Sequence, residues 1–214
     1  MSINTIIFDL DGTLLYTLED LNDSVNFALE KHNYPLRSLD EVRGFVGNGV
    51  ALLIERALPS CVSENTKAEC LRTFKEHYSK NMFNKSRPYD GVVEVLEQLK
   101  RNGYNLAVVS NKHDEAVKNL VNTYFSSLFD VVVGQSDSVL PKPSIDGVDM
   151  VLKTLSVDAS ECVFVGDSEV DIQTANNAGM SCMSVVWGYK DIEFLYKNGA
   201  SVLLYYPEEI LELL

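Results

Sequence analysis

Six short apolar runs along the chain have the pattern of buried β-strands. Each run is short, mostly continuous in its apolar residues and followed by turn residues or polar residues. The runs are Thr5–Phe8, Leu106–Val109, Val131–Val133, Cys162–Val165, Cys182–Val186 and Ser201–Leu204. Continuous apolar runs of this length are typical of strands that are covered on both faces of a parallel sheet.

Segments with apolar residues at helical spacing separate these runs. In one of them Val92, Val95 and Leu99 fall on one helical face, and Gly103 follows as a stop signal. The predicted helices are Gly91–Arg101, Asp114–Tyr124, Ile145–Leu155, Asp171–Ala178 and Asp191–Lys197. Because strands and helices alternate, the sequence predicts an α/β fold with a Rossmann-like, doubly wound parallel sheet.

Residues 16–84 interrupt this alternation. They contain no run that predicts a strand, whereas a helical stripe extends from Leu18 to Leu29 and further helices are predicted over Val50–Ala57 and Glu64–Ser79. We therefore expect two domains. One is an α/β catalytic core of residues 1–15 and 85–214, and the other is an inserted all-helical cap of residues 16–84.

Charge and cysteine content narrow the function classes. The formal net charge is −13, so the protein should repel nucleic acid and anionic membrane surfaces, and we expect neither as a partner. The four cysteines form no CxxC pair, which favours packed, reduced thiols. The N-terminus lacks the features of a signal peptide, and no apolar run approaches the ~20 residues of a membrane span. We expect a cytoplasmic protein.

Polar residues follow the predicted strands, and ligands of open α/β sheets bind outside the carboxyl ends of strands. We therefore expect these residues to converge at one edge of the sheet. They are Asp9, Asp11 and Thr13 after the first strand, Ser110 and Asn111 after the second, Lys142 in the loop after the third, and Asp167 and Asp171 after the fourth.

Four carboxylates at one place repel one another unless a cation joins them. Mg²⁺ suits such a site, because it binds one or two carboxylates, keeps water ligands and accepts phosphate oxygens. Lys142, the Ser110 hydroxyl and the backbone N–H groups after Asp9 could hold a phosphate. Asp9 could attack phosphorus to form an acyl phosphate. Asp11 could protonate the leaving oxygen and then deprotonate the attacking water.

Four segments together resemble the motifs of the haloacid dehalogenase-like hydrolase superfamily. They are Phe8–Leu14 (FDLDGTL), Ser110-Asn111, Lys142-Pro143 and Gly166–Asp171 (GDSEVD), and the helical insertion lies where that superfamily carries its first type of cap. Within the insertion, Gly47-Asn48-Gly49 with Leu53 and Glu55–Leu58 is similar to the phosphoglycolate phosphatase group.

The resemblance implies roles for these residues. Asp9 is the nucleophile and Asp11 the acid and base. Mg²⁺ is held by Asp9, the backbone carbonyl of Asp11 and Asp167, with Asp171 nearby. The phosphate ligands are Thr13, Ser110, Asn111 and Lys142. In the cap, Gly47, Asn48 and Gly49 form either a substrate-facing loop or only a helix start, and Arg43 and Arg56 bind either a substrate carboxylate or acidic residues of the cap.

Two positions depart from the superfamily pattern. Tyr16-Thr17 stands where Asp-Ser or Asp-Thr is usual, and Ser144-Ile145 follows Lys142-Pro143 where a second proline is common. The first departure affects the expected hinge contacts, and the second affects the stiffness of the lysine loop. Neither removes a residue that carries chemistry.

The expected function is removal of phosphate from a small phosphorylated metabolite, with 2-phosphoglycolate as the best single substrate, by a monomer or homodimer. The alternatives are a phosphosugar mutase related to β-phosphoglucomutase, a pyrophosphatase or nucleotidase, and a non-catalytic binding protein on the same fold. Thr13 after Gly12 favours the phosphatase over the mutase. Dehalogenation is disfavoured, because it requires neither Asp11 nor a metal.

Overall fold

The computed structural model describes residues 2–214, in which the chain forms two compact units. One unit comprises the chain up to Leu15 together with Pro88–Leu214, and the other is Tyr16–Arg87. Each unit is therefore described by itself below.

The strands and helices alternate through most of the chain. The strands are β1 (Thr5–Phe8), β2 (Leu15–Tyr16), β3 (Arg87–Pro88), β4 (Asn105–His113), β5 (Val131–Gln135), β6 (Cys162–Gly166), β7 (Ser181–Val185) and β8 (Val202–Leu204). The helices are α1 (Leu18–Lys31), α2 (Leu39–Phe45), α3 (Val50–Ala57), α4 (Glu64–Asn81), α5 (Val92–Arg101), α6 (Asp114–Phe125), α7 (Asp146–Leu155), α8 (Glu169–Ala178), α9 (Ile192–Lys197) and α10 (Glu209–Leu213), with a 3₁₀ turn at Ala159–Glu161.

A parallel sheet organises the first unit. Its strand order is β5-β4-β1-β6-β7-β8, and each neighbouring pair is parallel. The chain builds outward from β1 to β5 on one side and then from β6 to β8 on the other. This reversal at β1 creates a topological switch point, and ligands of open α/β sheets bind outside the carboxyl ends of the strands at such a point. The predicted α/β class and doubly wound parallel sheet are confirmed.

Apolar burial explains why these segments become strands. Every residue of β1 is buried, and Ile7 packs in one cluster with Ala107 of β4 and Phe164 of β6. Val148 and Val151 of α7 complete this cluster from the helical layer. Burial of such side chains contributes roughly 1.5–3 kcal/mol each, so the apolar runs that predict the strands also anchor the sheet.

The unit Tyr16–Arg87 contains α1 to α4. Helix α1 packs on α4, and α2 contacts both α1 and α3. The sequence did not predict α2, because this seven-residue helix buries only Val42 and so shows no apolar stripe. Its signal was the capping box of Ser38 and Glu41. The sequence predicts no strand within residues 16–84, but Tyr16 lies in the two-residue strand β2, which pairs with β3.

Two further expectations concern the cysteines and the membrane. All four cysteines are free; Cys70 and Cys162 are buried, Cys182 is half-buried, and Cys61 is exposed. The expectation that every thiol is packed is therefore wrong for Cys61, which lies in the turn between α3 and α4. Between residues 2 and 214, no helix has the length and apolar character that crossing a membrane would require.

Candidate active site

The turn after β1 places Asp9 at the switch point. The Asp9 N–H donates to the Val165 carbonyl at 2.9 Å, which continues the sheet ladder to the last residue before the turn. The Leu10 carbonyl then accepts from the N–H groups of Leu14 and Leu15 and closes the turn. Gly12 has φ +89°, and a Cβ there would lie 2.4 Å from Asp167 Oδ2. Only glycine permits this close approach of two loops.

Three carboxylates meet at this point. Ligand oxygens of Asp9, Asp167 and Asp171 all lie within 4.8 Å of one another, and all three residues are buried. The neighbouring parallel strands β1 and β6 deliver the first two, and the first turn of α8 delivers Asp171. Asp171 is fixed there because its Oδ2 accepts from Ser168 N–H at 3.0 Å and from Ser168 Oγ at 2.7 Å.

Lys142 supplies positive charge to this cluster. Its Nζ donates to Asp9 Oδ1 at 2.8 Å and to Asp171 Oδ1 at 2.6 Å. Asn111 holds the lysine loop in place: its Nδ2 donates to the Lys142 carbonyl at 3.1 Å, and its Oδ1 accepts from the Lys142 N–H at 2.6 Å. The Asn111 amide therefore positions Lys142 in this structure, whereas its contact with phosphate stays a prediction.

Charge is unbalanced in the cluster. Burial raises the pKa of Asp9 to about 6 despite the opposing charge of Lys142. Burial, and then the charges of Asp171 and Asp9, raise the pKa of Asp167 well above its ordinary value. Burial favours a lower pKa for Lys142, but the charges of Asp171 and Asp9 outweigh it and raise the pKa. Without a further cation, three buried carboxylates thus share one ammonium.

The free oxygens of the cluster suit a hard cation. Asp167 Oδ2 accepts from the Tyr189 N–H at 2.7 Å, and Asp9 Oδ1 accepts from Lys142. Within residues 2–214, no hydrogen bond reaches Asp9 Oδ2 or Asp167 Oδ1. Buried carboxylate oxygens without protein donors are the ligand type that Mg²⁺ prefers. The residues of this site therefore fit a divalent cation.

Asp11 lies outside the carboxylate cluster and pairs with a lysine that the sequence motifs did not single out. Lys112 Nζ donates to Asp11 Oδ1 at 3.0 Å and to Oδ2 at 2.7 Å. Among the described residues, the cluster that could hold a metal includes no side-chain oxygen of Asp11. The available signal for Lys112 was its place directly after Ser110-Asn111 at a strand end.

The two predicted hydroxyl ligands are both buried. Ser110 Oγ accepts from the Lys112 N–H at 3.3 Å. Thr13 Oγ1 has no hydrogen-bond partner in the described chain, and Thr13 lines a small apolar cavity together with Phe8 and Trp187. Their roles as phosphate ligands stay predictions. The backbone N–H groups of Gly12 and Thr13 donate to the carbonyls of Leu15 and Leu10, so they serve the turn itself.

The loop after β7 packs against the site, although its residues belong to none of the four sequence motifs. The Trp187 indole Nε1–H donates to the Thr13 carbonyl at 3.0 Å. A Cβ at Gly188 would lie 2.3 Å from the Asp167 Cβ and 2.6 Å from the Gly12 carbonyl oxygen. The loop therefore packs closely behind the turn after β1 and behind Asp167.

The predicted substrate residues of the helical unit cluster around one loop. Gly49 has φ +85° and is the N-cap of α3, and Gly47 has φ +125°. The sequence Gly47-Asn48-Gly49 thus serves at least as a helix start. Arg56 Nη1 donates to the Phe45 carbonyl at 2.9 Å and ties α3 to the end of α2. The predicted contact of Arg56 with a carboxylate, of the substrate or of the cap, stays a prediction. Arg43 lies in the last turn of α2.

The sequence and the fold of this chain are similar to those of known hydrolases. The family model described as haloacid dehalogenase-like hydrolase matches residues 6–185. A phosphoglycolate phosphatase of Mesorhizobium japonicum is 36% identical over 197 residues, which cover 89% of this chain and 86% of that protein. A phosphoglycolate phosphatase of Vibrio parahaemolyticus is 33% identical over 217 residues, covering 98% and 95%. The crystal structure of a predicted phosphoglycolate phosphatase from Haemophilus somnus has a TM-score of 0.93 and 31% identity, and the match covers 100% of this chain and 98% of that one.

Proposed function

We propose, on the premise that this chain belongs to the haloacid dehalogenase-like hydrolase family, that it is a magnesium-dependent phosphatase acting on 2-phosphoglycolate. The observation that carries the proposal is the cluster of Asp9, Asp167, Asp171 and Lys142 at the switch point of the sheet. Buried carboxylates that share one ammonium are costly to maintain. Such clusters of perturbed titratable groups are typical of functional sites.

The proposed metal site uses the oxygens that the protein leaves open. Asp9 and Asp167 would hold Mg²⁺, together with the backbone carbonyl of Asp11. Asp171 would stay close by, held by Ser168 and Lys142. When bound, the cation supplies charge neutralisation to the carboxylates and to the substrate phosphate.

The proposed reaction has two steps. In the first, Asp9 Oδ attacks phosphorus, the bond from phosphorus to the leaving oxygen breaks, and Asp11 gives that oxygen its proton. The products are an aspartyl phosphate on Asp9 and a free alcohol. In the second step, water attacks phosphorus, Asp11 takes the proton of the water, and the acyl phosphate bond breaks. Inorganic phosphate leaves, and Asp9 and Asp11 return to their starting states.

The choice of 2-phosphoglycolate is supported by the relatives that carry this activity in their names. This substrate carries a phosphate and a carboxylate, and a protein of net charge −13 can bind it only where local positive charge outweighs the overall field. Lys142 provides such charge for the phosphate. Recognition of the substrate carboxylate by Arg43, Arg56 and the loop Gly47–Gly49 stays a prediction from the sequence.

The test is phosphate release with magnesium from 2-phosphoglycolate, inorganic pyrophosphate, nucleotides and several sugar phosphates, compared by kcat/KM. We expect a preference for 2-phosphoglycolate of at least about tenfold, which corresponds to about 1.4 kcal/mol of transition-state discrimination. Release should stop in excess EDTA and in Asp9→Asn. A flat profile, or one led by sugar phosphates, would discard the named substrate. Release that continues in EDTA would contradict the metal.

A further inference from the structure

The ion pair between Lys112 and Asp11 stands apart from the carboxylate cluster. Both Asp11 oxygens lie within hydrogen-bond distance of Lys112 Nζ, at 3.0 and 2.7 Å. The Lys112 side chain is 2% exposed and the Asp11 side chain 14% exposed. A lysine buried to this degree is rare unless it is paired, so the pair is a built feature of the site.

The end of β4 explains how the lysine arrives there. The register between β4 and β5 shifts between Val109 and His113, which marks a bulge or irregularity in the strand. Ser110, Asn111 and Lys112 are all buried within this stretch. Bulges next to active sites re-aim side chains, and here consecutive residues serve different parts of one site. Asn111 holds the Lys142 loop, whereas Lys112 holds Asp11.

We propose that Lys112 is a positioning residue for Asp11, which rests on the proposed function in giving Asp11 the proton-transfer role. The negative cluster of Asp9, Asp167 and Asp171 repels the Asp11 carboxylate and favours its rotation away from the site. The Lys112 ammonium opposes that rotation, because it binds both oxygens of the carboxylate. The carboxylate is the form that Asp11 takes after its proton has passed to the leaving oxygen and before it takes the proton of the attacking water. Proton transfer requires the carboxyl group within hydrogen-bond reach of the leaving oxygen, and Lys112 keeps it at the edge of the site.

The proposal makes a prediction that depends on the leaving group. An alcohol such as glycolate leaves only if a proton reaches its oxygen, whereas p-nitrophenolate is stable without one. Loss of Lys112 should therefore slow cleavage of 2-phosphoglycolate far more than cleavage of p-nitrophenyl phosphate. A residue that only stabilises the fold, or that only holds the phosphate, would slow both substrates by the same factor.

The experiment measures kcat/KM of the full chain with magnesium for 2-phosphoglycolate, phenyl phosphate and p-nitrophenyl phosphate. The variants are Lys112→Met, Lys112→Gln, Asp11→Asn and the double variant Asp11→Asn/Lys112→Met. Lys118→Met is the matched control, since Lys118 pairs with Asp114 on an exposed helix surface. The parameter kcat/KM reports the steps up to formation of the phosphoenzyme, in which the leaving group departs.

We expect Lys112→Met to lower kcat/KM for 2-phosphoglycolate by at least about tenfold, which is part of the 10²–10⁴ that general acid–base catalysis typically contributes. The loss for p-nitrophenyl phosphate should stay below about threefold, and phenyl phosphate should fall between. Lys112→Gln keeps an N–H donor and should recover part of the loss. If Lys112→Met does not fold, as judged by circular dichroism and its melting temperature, Lys112→Gln supplies the same comparison. Lys118→Met should match the parent enzyme on every substrate.

The double variant separates positioning from direct action. If Lys112 acts through Asp11, its removal should change Asp11→Asn activity by less than about twofold, because residues that act as a unit are non-additive. Losses that multiply, or equal losses for all three substrates, would overturn the positioning role while leaving the phosphatase intact. A parent enzyme that cleaves none of the three substrates would instead overturn the proposed function itself.

Discussion

Three buried carboxylates and one lysine ammonium determine which residues of the site take up a proton when no metal is bound. Asp9 and Asp171 share Lys142, and the Asp167 carboxylate accepts a hydrogen bond from the backbone N–H of Tyr189. In the metal-free protein this arrangement favours proton uptake, and burial accordingly raises the pKa of Asp9 to about 6. If the cluster binds a cation and a phosphate as proposed, its residues serve that function at the expense of stability in the free state.

The raised pKa of Asp9 predicts a pH-dependent stability difference between Asp9→Asn and the parent protein in EDTA. The folded state binds the Asp9 proton more tightly than the unfolded state, so this stabilisation is present near pH 4 and is lost as the pH rises through about 6. The neutral amide does not titrate. In urea unfolding, the free energy of unfolding of Asp9→Asn should increase relative to that of the parent protein between pH 4 and pH 8. Asp137→Asn, which changes an exposed aspartate, is the control variant. A constant difference between Asp9→Asn and the parent would contradict the account.

Removal of the Lys142 ammonium should be strongly destabilising. Lys142→Met leaves Asp9 and Asp171 buried without their shared partner, and breaking a buried pair in this way typically costs about 3–5 kcal/mol. The measurement is urea unfolding in EDTA at pH 8. The control Lys118→Met breaks an exposed pair and should stay within about 0.5 kcal/mol of the parent. An equally small effect for Lys142→Met would show that the cluster does not depend on the lysine.

Secondary elements differ in how far the sequence determines them. The strands β1 and β6 were predictable from their continuous apolar runs, and the helices α5 to α8 from apolar residues at helical spacing. The residues at strand ends were predictable as a group, since parallel strands deliver their carboxyl ends to one edge. Helix α2 was not, because it is short and buries a single side chain.

The contacts between loops were beyond sequence reasoning. Lys112 meets Asp11 across a sequence separation of 101 residues, and Trp187 meets the Thr13 carbonyl across 174. Neither contact can be predicted from the periodicity of apolar residues or from turn residues. The Lys112 contact follows from the strand irregularity between Val109 and His113, and the Trp187 contact goes with the close packing of Gly188 behind Asp167. Three-dimensional packing decides these contacts.

At the element scale, Asp20 should hold the end of the helical unit in place. Asp20 lies in the first turn of α1 and is buried, and its carboxylate accepts from Lys85 N–H, Ser86 N–H and Ser86 Oγ. Asp20→Ala leaves these donors without their acceptor and should cost about 1–3 kcal/mol. The matched control is Asp23→Ala, which removes an exposed carboxylate paired with Lys85. Chemical denaturation of both variants checks the prediction, and equal stabilities would contradict it.

For the whole molecule, net charge and metal binding act in opposite directions. A net charge of −13 opposes the approach of an anionic substrate. Lys142 and the proposed divalent cation would supply the local positive charge that compensates for it. A ligand that binds only the folded state also stabilises it by an amount that grows with its concentration. The cation should therefore affect the unfolding of the molecule as well as its activity.

Magnesium should raise the melting temperature of the parent protein in a concentration-dependent manner. The expected cause is binding to the folded site, where Asp167 offers an open oxygen. Most of this increase in melting temperature should be absent in Asp167→Asn, whereas Asp137→Asn should show the same increase as the parent protein. Differential scanning fluorimetry with magnesium chloride, and with sodium chloride at equal ionic strength, provides the measurement. A shift of equal size in Asp167→Asn would place the bound cation elsewhere.

The most direct test of the account is whether phosphate passes through Asp9. The parent protein is mixed with magnesium and 2-phosphoglycolate, quenched in acid within milliseconds, and analysed by intact mass and by peptide mapping. The account predicts the added mass of one phosphoryl group on the peptide that contains Asp9, and neither adduct nor turnover in Asp9→Asn. Rapid phosphate release without any adduct, together with retained turnover in a folded Asp9→Asn protein, would contradict the nucleophilic role of Asp9.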